Sequence, residues 1–442
     1  MKKVLAFDLG ASNGRAILGT SNNNGITDLT EIHRFANTPV AINGRLYWDV
    51  LGLFSEIMTA LSKCAAMGHS DIASIGIDTW GVDYGLLDKN GHLIANPRHY
   101  RDPRTIGIVG RLADRLLPQY LWSQTGNRPA EINTAYQLAS EPLPKDAGKL
   151  LFMPDLLAYF LTGEMCCEKT ILSTSQLYDF SRNEFCQSIL DGIGVTEDLF
   201  PPVTEPGTVI GTLTRDIAAK TGLPQIPVIA VAGHDTASAF AAVRLPKNSA
   251  FISCGTWSIV GILLDERLTS TEAFAGGFTN EIAYGGKTRF IKNITGLWIE
   301  QQCIESWRKQ GQDVSYDILD AETAASDTDI IIDPTDPLFT APPDMPAAIA
   351  EYCRNTGQPI PASRGEYLSC IIRSLAAEYN RTVTAIESLT GQNIDTIYIA
   401  GGGVKNKLLC KYTEQSTGRR VVIGPAEATA MGNVTIQLTV DN

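Results

Sequence analysis

Two apolar runs near the start of the chain, Val4-Leu5-Ala6-Phe7 and Ala16-Ile17-Leu18, flank the small polar turn Gly10-Ala11-Ser12-Asn13-Gly14. Short apolar runs on either side of a Gly/Asn turn predict a β-hairpin, and a further strand is predicted over 30–35. Apolar positions then recur at helical spacing over 48–66, with Asp49 placed as an N-cap. The run Ile72-Ala73-Ser74-Ile75-Gly76-Ile77 reads as a buried strand ending at Asp78, followed by a loop and a second strand that enters the turn Lys89-Asn90-Gly91. Strands alternating with helices predict an α/β architecture.

Residues 96–179 read as mostly helix and loop. Within them, 153–163 has Pro154 at a helix start and Gly163 at its end. The stretch 165–180, with Thr170, Ser173, Thr174 and Ser175, reads as solvated loop. Over 227–240 a buried strand gives way to Gly233 and a helix start in which Asp235 and Thr236 are well placed. The composition turns polar over 244–249, and the main boundary is placed there, giving domains 1–245 and 246–442. The second domain opens as the first does: Ala250-Phe251-Ile252-Ser253, the turn Cys254-Gly255-Thr256, and Trp257-Ser258-Ile259-Val260. The two predicted hairpins stand about 245 positions apart, which indicates a duplicated domain rather than a solenoid repeat. A strand over 288–292, a helix opening over 293–302, an Asp- and Pro-rich excursion over 327–346 and a long helix over 365–389 follow. The chain closes with a strand over 396–400, Gly401-Gly402-Gly403, a helix, a strand over 421–423, a turn over 424–427 and a helix over 428–438.

A length of 442 residues suits two to three domains, and 44% hydrophobic with 19% charged residues is a globular composition. The net charge of −12 and the lack of a basic block argue against a nucleic-acid binder. The longest apolar stretch, 226–243, is interrupted by His234 and Asp235, so no membrane span is expected. Lys2 and Lys3 precede an apolar run, but Asp8 breaks it and no cleavage site follows, so the chain reads as cytoplasmic. Nine cysteines, an odd number without a C-x-x-C, read as reduced and buried thiols. The Asn-x-Thr triplets at Asn293, Asn380 and Asn433 carry no weight in that setting.

Three glycine-bearing turns offer backbone to a nucleotide: 10–14, Gly255-Thr256 and 401–403. Glycine lets amides approach an anion, and consecutive turn amides form a phosphate-sized nest. None is a Walker A loop, because Gly286-Lys287-Thr288 would need glycine where Glu281 stands. Nor is there a dinucleotide fingerprint, since Asn406 occupies the third glycine position. Asp8 beside the first turn suits a hydrated Mg²⁺. Asp235 is the candidate base, because phosphoryl transfer to an alcohol needs a carboxylate within reach of the hydroxyl; the plainer role for it is an N-cap. His234 is a candidate partner of a sugar hydroxyl, and Asp78-Thr79-Trp80-Gly81-Val82-Asp83 has the carboxylate and aromatic makeup of a sugar site.

With these pieces assembled, the whole chain resembles the FGGY family of carbohydrate kinases, a branch of the actin-like ATPase superfamily. The resemblance rests on 8–15, on 75–83, on Tyr100-Arg101-Asp102, on His234-Asp235-Thr236-Ala237-Ser238-Ala239, on Ser253-Cys254-Gly255-Thr256-Trp257-Ser258, on 292–298 and on 401–403. It implies two actin-like, ribonuclease H-like domains with ATP and sugar bound in an interdomain cleft. It implies that Asp235 is the base, that Ala11, Ser12, Asn13, Gly14 and Arg15 hold phosphate, and that Gly255, Thr256, Gln301 and Gly402 contact the nucleotide. Gly81, His234, Thr236 and Asn293 would contact the sugar. The opening turn and the segment 79–83 look like the branch acting on L-rhamnulose more than those acting on xylulose or glycerol. The implied reaction is ATP- and Mg²⁺-dependent phosphorylation of the C1 hydroxyl of L-rhamnulose by a monomer or homodimer, without nucleic-acid or membrane partners. L-fuculose or another ketose is the alternative substrate, and a non-catalytic actin-like ATP-binding regulator is the alternative class. Asn13 departs from the usual Ser of the family, and relatives generally run some tens of residues beyond Asn442.

Overall fold

The computed structural model describes residues 1–22, 25–326, 328–340 and 342–440. They form two compact α/β units. In the first, a six-stranded sheet runs in the order Thr208–Thr212, Pro227–Ala230, Ile72–Thr79, Lys2–Leu9, Asn13–Asn22, Gly25–Ala36. Lys2–Leu9 and Asn13–Asn22 form the expected hairpin, with Leu9 opposite Gly14. Lys2–Leu9, Ile72–Thr79 and Pro227–Ala230 are parallel, and Asp8 lies opposite Asp78. Parallel neighbours need crossovers; the first contains the helix Val50–Ala66, capped by Asp49, whose carboxylate accepts from Gly52 N at 3.0 Å. Because the three strands run the same way, the turns that follow Leu9, Thr79 and Ala230 share one edge of the sheet. Such carboxyl edges are where open α/β sheets bind ligands.

Lys2–Leu9 is buried on both faces from Val4 onward, which explains why it reads as an unbroken apolar run. One face meets Trp48, Leu53, Ile57 and Leu61. On the other, Val4 and Ala6 pack with Val434 of the helix Ala428–Thr439. That helix also presents polar residues to the sheet: Ser74 Oγ donates to Gln437 Oε1 at 2.8 Å, Gln437 Nε2 to Leu5 O at 3.1 Å, and Asn433 Nδ2 to Asp78 Oδ2 at 2.6 Å.

The compact units do not follow the chain order strictly. The first unit also takes Leu264–Phe290 and the chain from Ala428 on. Asn280 in the former segment donates to Gly126 O and accepts from Asn127 Nδ2, and Arg267 pairs with Asp179. The structure does overturn one expectation. Residues 166–168 and 170–179 are buried, not solvated loop, and several of their polar groups are paired inside the protein. Glu168 caps the short helix Lys169–Leu172 by accepting from Thr170 N and Ile171 N, and the hydroxyls of Ser173 and Thr174 donate to Thr170 O and Ile171 O.

In the second unit, Ser249–Cys254 and Trp257–Leu264 form the second hairpin. Thr396–Ala400 runs parallel to Ser249–Cys254, and Arg420–Ile423 runs parallel to Thr396–Ala400. A hairpin followed by parallel strands is thus the plan of both units. The long helix spans Arg364–Thr390 and ends at Gly391, where φ of +69° favours glycine. Of the 327–346 excursion, positions 327 and 341 lie outside the described residues, and the rest carries the short 3₁₀ turn Pro337–Phe339. All nine cysteines are unpaired and buried. Among the described residues no helix is long and apolar enough to cross a membrane.

Candidate functional site

The first turn is braced from outside. Gly10 N donates to Asn13 O at 2.9 Å, while Asn37 donates its backbone N–H to Ser12 O at 3.0 Å and Nδ2 to Gly10 O at 2.9 Å. Gly14 is required because a Cβ there would overlap the Phe35 ring. Ser12 and Asn13 are exposed and Ala11 is half-buried. Arg15, expected to serve a phosphate, is ion-paired with Asp8 at 2.5 Å. Burial pushes the Asp8 carboxyl up, Arg15 opposes the rise, and the Asp235 carboxylate adds to it. Asp78 across the ladder is raised well above the usual range by burial and by Asp8, and its Oδ1 is buried without a hydrogen-bond partner among the described residues. Three carboxyl groups thus feel one another at the edge of one sheet. Among the described residues no group of three or more His, Cys, Asp or Glu side chains stands at metal-ligating spacing.

The second turn at this edge is bolted on three sides. Thr79 N donates to Gly233 O at 2.9 Å, Gly233 N donates to Glu168 Oε2 at 2.9 Å, and His234 N reaches Thr170 Oγ1 at 3.5 Å. Asp235 is the first residue of the helix Asp235–Ala241, and no side chain caps that helix, so the N-cap role is not the one it fills. Its side chain is 30% exposed. One oxygen, Oδ1, accepts from Thr236 Oγ1 at 3.0 Å and lies 3.3 Å from His234 Nε2. On the other side of the imidazole, Nδ1 lies 3.1 Å from both Arg289 Nη2 and Glu281 Oε2. Gly81 flanks the same ring: a Cβ there would stand 3.4 Å from His234 Nε2.

Trp80 does not offer an open face for a sugar. It is buried against Trp48, with ring centroids 4.0 Å apart, and its Nε1 donates to Asp83 at 3.0 Å. A loop tryptophan between polar residues has here become the anchor of its own loop.

In the second unit, the carbonyls of Gly255 and Thr256 accept from the backbone N–H groups of 296–298, which lead into the helix Trp298–Lys309. This folds Gln301 back onto the turn, where Thr256 Oγ1 donates to Gln301 Oε1 at 3.3 Å. The glycine turn after Thr396–Ala400 packs on Cys254: a Cβ on Gly403 would overlap Cys254 Sγ, and Gly401 has φ of +87°. A Cβ on Gly402 would meet nothing within 4 Å, so backbone is open to approach there. Asn293 lies on the strand Thr288–Thr295 with its side chain exposed.

The structure therefore gathers Asp8, residues 11–15, Gly81, His234, Asp235 and Thr236 in the first unit, and Thr256 with Gln301 in the second. Sequence reasoning missed Glu168, Glu281 and Arg289. The signal available for the last two was a pair of opposite charges inside runs that are otherwise strand-forming, Thr279–Ile282 and Thr288–Thr295.

The N-terminal domain model of the FGGY family of carbohydrate kinases matches residues 3–241, and its C-terminal domain model matches 250–439. The chain is 43% identical over 443 aligned residues to a rhamnulokinase of Bacteroides thetaiotaomicron, covering 99% of this chain and 90% of that one. It is 37% identical over 444 aligned residues to a rhamnulokinase of Lactiplantibacillus plantarum, with the same coverage. A solved xylulose kinase of Lactobacillus acidophilus superposes with a TM-score of 0.81 at 13% identity, over 99% of this chain and 89% of that one. At that identity the likeness is one of fold, the actin-like ATPase fold.

Proposed function

Because the chain belongs to the FGGY family of carbohydrate kinases, we propose that it transfers the γ-phosphoryl group of ATP to the C1 hydroxyl of L-rhamnulose, a step of L-rhamnose catabolism. The observation that carries the reading is Asp235: a partly exposed carboxylate at the carboxyl edge of the first sheet, with one oxygen held by Thr236 and flanked by His234.

Phosphoryl transfer is largely positioning and charge stabilisation. Asp235 accepts the proton of the C1 hydroxyl as that oxygen bonds to the γ-phosphorus. The bond to the bridging oxygen breaks and its electron pair leaves with ADP, so the products are ADP and L-rhamnulose 1-phosphate. His234, Thr236, Gly81 and Asn293 orient the sugar. Ala11, Ser12, Asn13, Gly14 and Arg15 hold phosphate oxygens, and Gly255, Thr256, Gln301 and Gly402 hold the rest of the nucleotide. For Arg15 to reach phosphate it must share or leave Asp8, which then faces Asp78 and Asp235 with less compensation. That corner favours a cation, and a magnesium ion shared with phosphates needs only one or two carboxylates. Asp8 is the residue that would hold it, and Mg²⁺ bound there supplies neutralisation of phosphate charge.

The test is ADP release on L-rhamnulose, L-fuculose, D-xylulose and glycerol. L-Rhamnulose is expected to give the highest kcat/KM, and Asp235→Asn to lose about 10²- to 10⁴-fold in kcat. A higher kcat/KM on another sugar would overturn the substrate, and undiminished turnover by Asp235→Asn would overturn the base.

A further inference from the structure

Behind His234 stands a charged pair that neither sugar nor nucleotide contact accounts for. Glu281 and Arg289 face each other in one hairpin, both buried, Arg289 completely. Arg289 Nε donates to Ile282 O at 3.1 Å, which fixes the guanidinium plane, and Nη2 donates to Glu281 Oε2 at 2.8 Å. Nη1 is buried with no hydrogen-bond acceptor among the described residues, and the guanidinium lies 5.9 Å from the centre of the Phe240 ring. A buried Arg–Glu pair with an orphaned N–H is a poor way to stabilise a fold, since desolvation of both ions offsets their attraction.

The pair does have a chemical consequence. A guanidinium carries donors only, so Arg289 Nη2, 3.1 Å from His234 Nδ1, forms a hydrogen bond only if Nδ1 keeps its lone pair. The proton then sits on Nε2, facing the acceptor Asp235 Oδ1 at 3.3 Å; the Nδ1 lone pair also faces Glu281 Oε2 at 3.1 Å, a repulsion offset by Arg289 Nη2, whose two protons can reach both acceptors. With the proton on Nδ1, an N–H would donate to Glu281 Oε2 but would crowd the Arg289 N–H, and the Nε2 lone pair would face a carboxylate oxygen. With protons on both nitrogens the clash with Arg289 remains. The charged groups around the ring are Asp235, Glu281 and Arg289, with Glu168 acting on Arg289 from behind the Gly233 turn.

We propose that Arg289 and Glu281 are positioning residues that lock His234 as its Nε2–H tautomer, so that it presents one fixed donor to Asp235 and to the bound sugar. This rests on the reading of Asp235 and His234 as the base and a sugar contact. Glu281 acts through Arg289, holding it in plane, and Arg289 acts through the imidazole.

The primary experiment is ¹⁵N NMR of the full chain with labelled histidine, without ligands and near neutral pH. There are five histidines, and His234→Asn identifies the signals of interest. A protonated Nε2 with a bare Nδ1 is expected. A proton on Nδ1, or on both nitrogens, would overturn the proposal whatever the enzyme's substrate. The second experiment replaces both charges together, Arg289→Met with Glu281→Met, so that neither is left buried alone. The folded double variant should show a mixed tautomer and lose about 100-fold in kcat/KM for the sugar, with KM for ATP unchanged. An unchanged kcat/KM for the sugar would also overturn the proposal. If the double variant does not fold, the wild-type spectrum decides alone. Failure of the wild type to phosphorylate any tested sugar would sink the kinase reading without moving the tautomer.

Discussion

At the scale of single residues, the loop beside the candidate base is organised by Asp83. Its carboxylate accepts from Trp48 Nε1 at 2.5 Å, Trp80 Nε1 at 3.0 Å, Tyr100 N at 3.1 Å and Gln137 Nε2 at 2.9 Å. Burial nevertheless pushes it up to about 6. His99, in stacking contact with both Trp48 and Tyr100, is pushed down to about 4 by burial and then by Arg101. Its Nδ1 accepts from Arg101 N at 2.9 Å, so the ring is held neutral. The two shifts have opposite linkage. Between about 4 and 6.5 the unfolded chain binds more protons at His99, so its contribution to stability is lost as pH falls through that window. For Asp83 the folded form binds more protons, and its contribution is lost as pH rises through about 6. His99→Gln keeps an acceptor for Arg101 N but does not titrate. Thermal melts should show the Tm of the wild type falling relative to that of His99→Gln as pH drops from 6.5 to 4, and parallel curves would refute the assignment. Asp235 and His234 were legible in sequence because their neighbours are contiguous. Arg289 was not, because it reaches His234 across 55 positions, and no local pattern encodes a contact made by chain reversal.

At the scale of elements, the helix that carries Asp235 depends on a close crossing. Gly432 of Ala428–Thr439 lies so near the helix Asp235–Ala241 that a Cβ would overlap the carbonyl oxygen of Ser238. Backbone cannot yield as a side-chain tip can, so Gly432→Ala should destabilise the protein by about 1–3 kcal/mol. Because the shift falls on the helix bearing Asp235, kcat should drop with it. Gly110→Ala is the control, since a methyl there meets nothing within 4 Å. Equal urea midpoints for the two variants would contradict the crossing. Periodicity predicted most elements, including the hairpins, the helix Val50–Ala66 and the long helix Arg364–Thr390, because each is set by local spacing and caps. It failed at 165–180, where Ser and Thr look solvated. Glu168 and local carbonyls satisfy them inside the protein, and polarity alone does not distinguish a solvated group from a buried one that is paired.

At the scale of the whole molecule, the two units repeat a plan: a hairpin, then parallel strands whose carboxyl ends carry glycine turns. The second unit's contacts between Thr256 and Gln301 make a separate prediction. A ligand at 100 times its Kd stabilises by about 2.7 kcal/mol, so saturating ATP should raise the Tm of the wild type. Thr256→Ala and Gln301→Ala should shrink the rise with ATP and leave the rise with L-rhamnulose unchanged. A full ATP response in both variants would remove these residues from the nucleotide site.

What the sequence determined by itself was the kind of element at most positions, the duplication, and the contiguous clusters at 8–15, 234–236 and 255–256. These depend on spacing and turn chemistry within a few residues. Only the tertiary structure decided that the last helix completes the first sheet, that Trp80 is an anchor rather than a platform, and that a buried ion pair stands behind His234. Each of these is a contact between segments far apart in the chain. Burial and the pairing of polar groups, which decide what such a residue does, exist only once those segments meet.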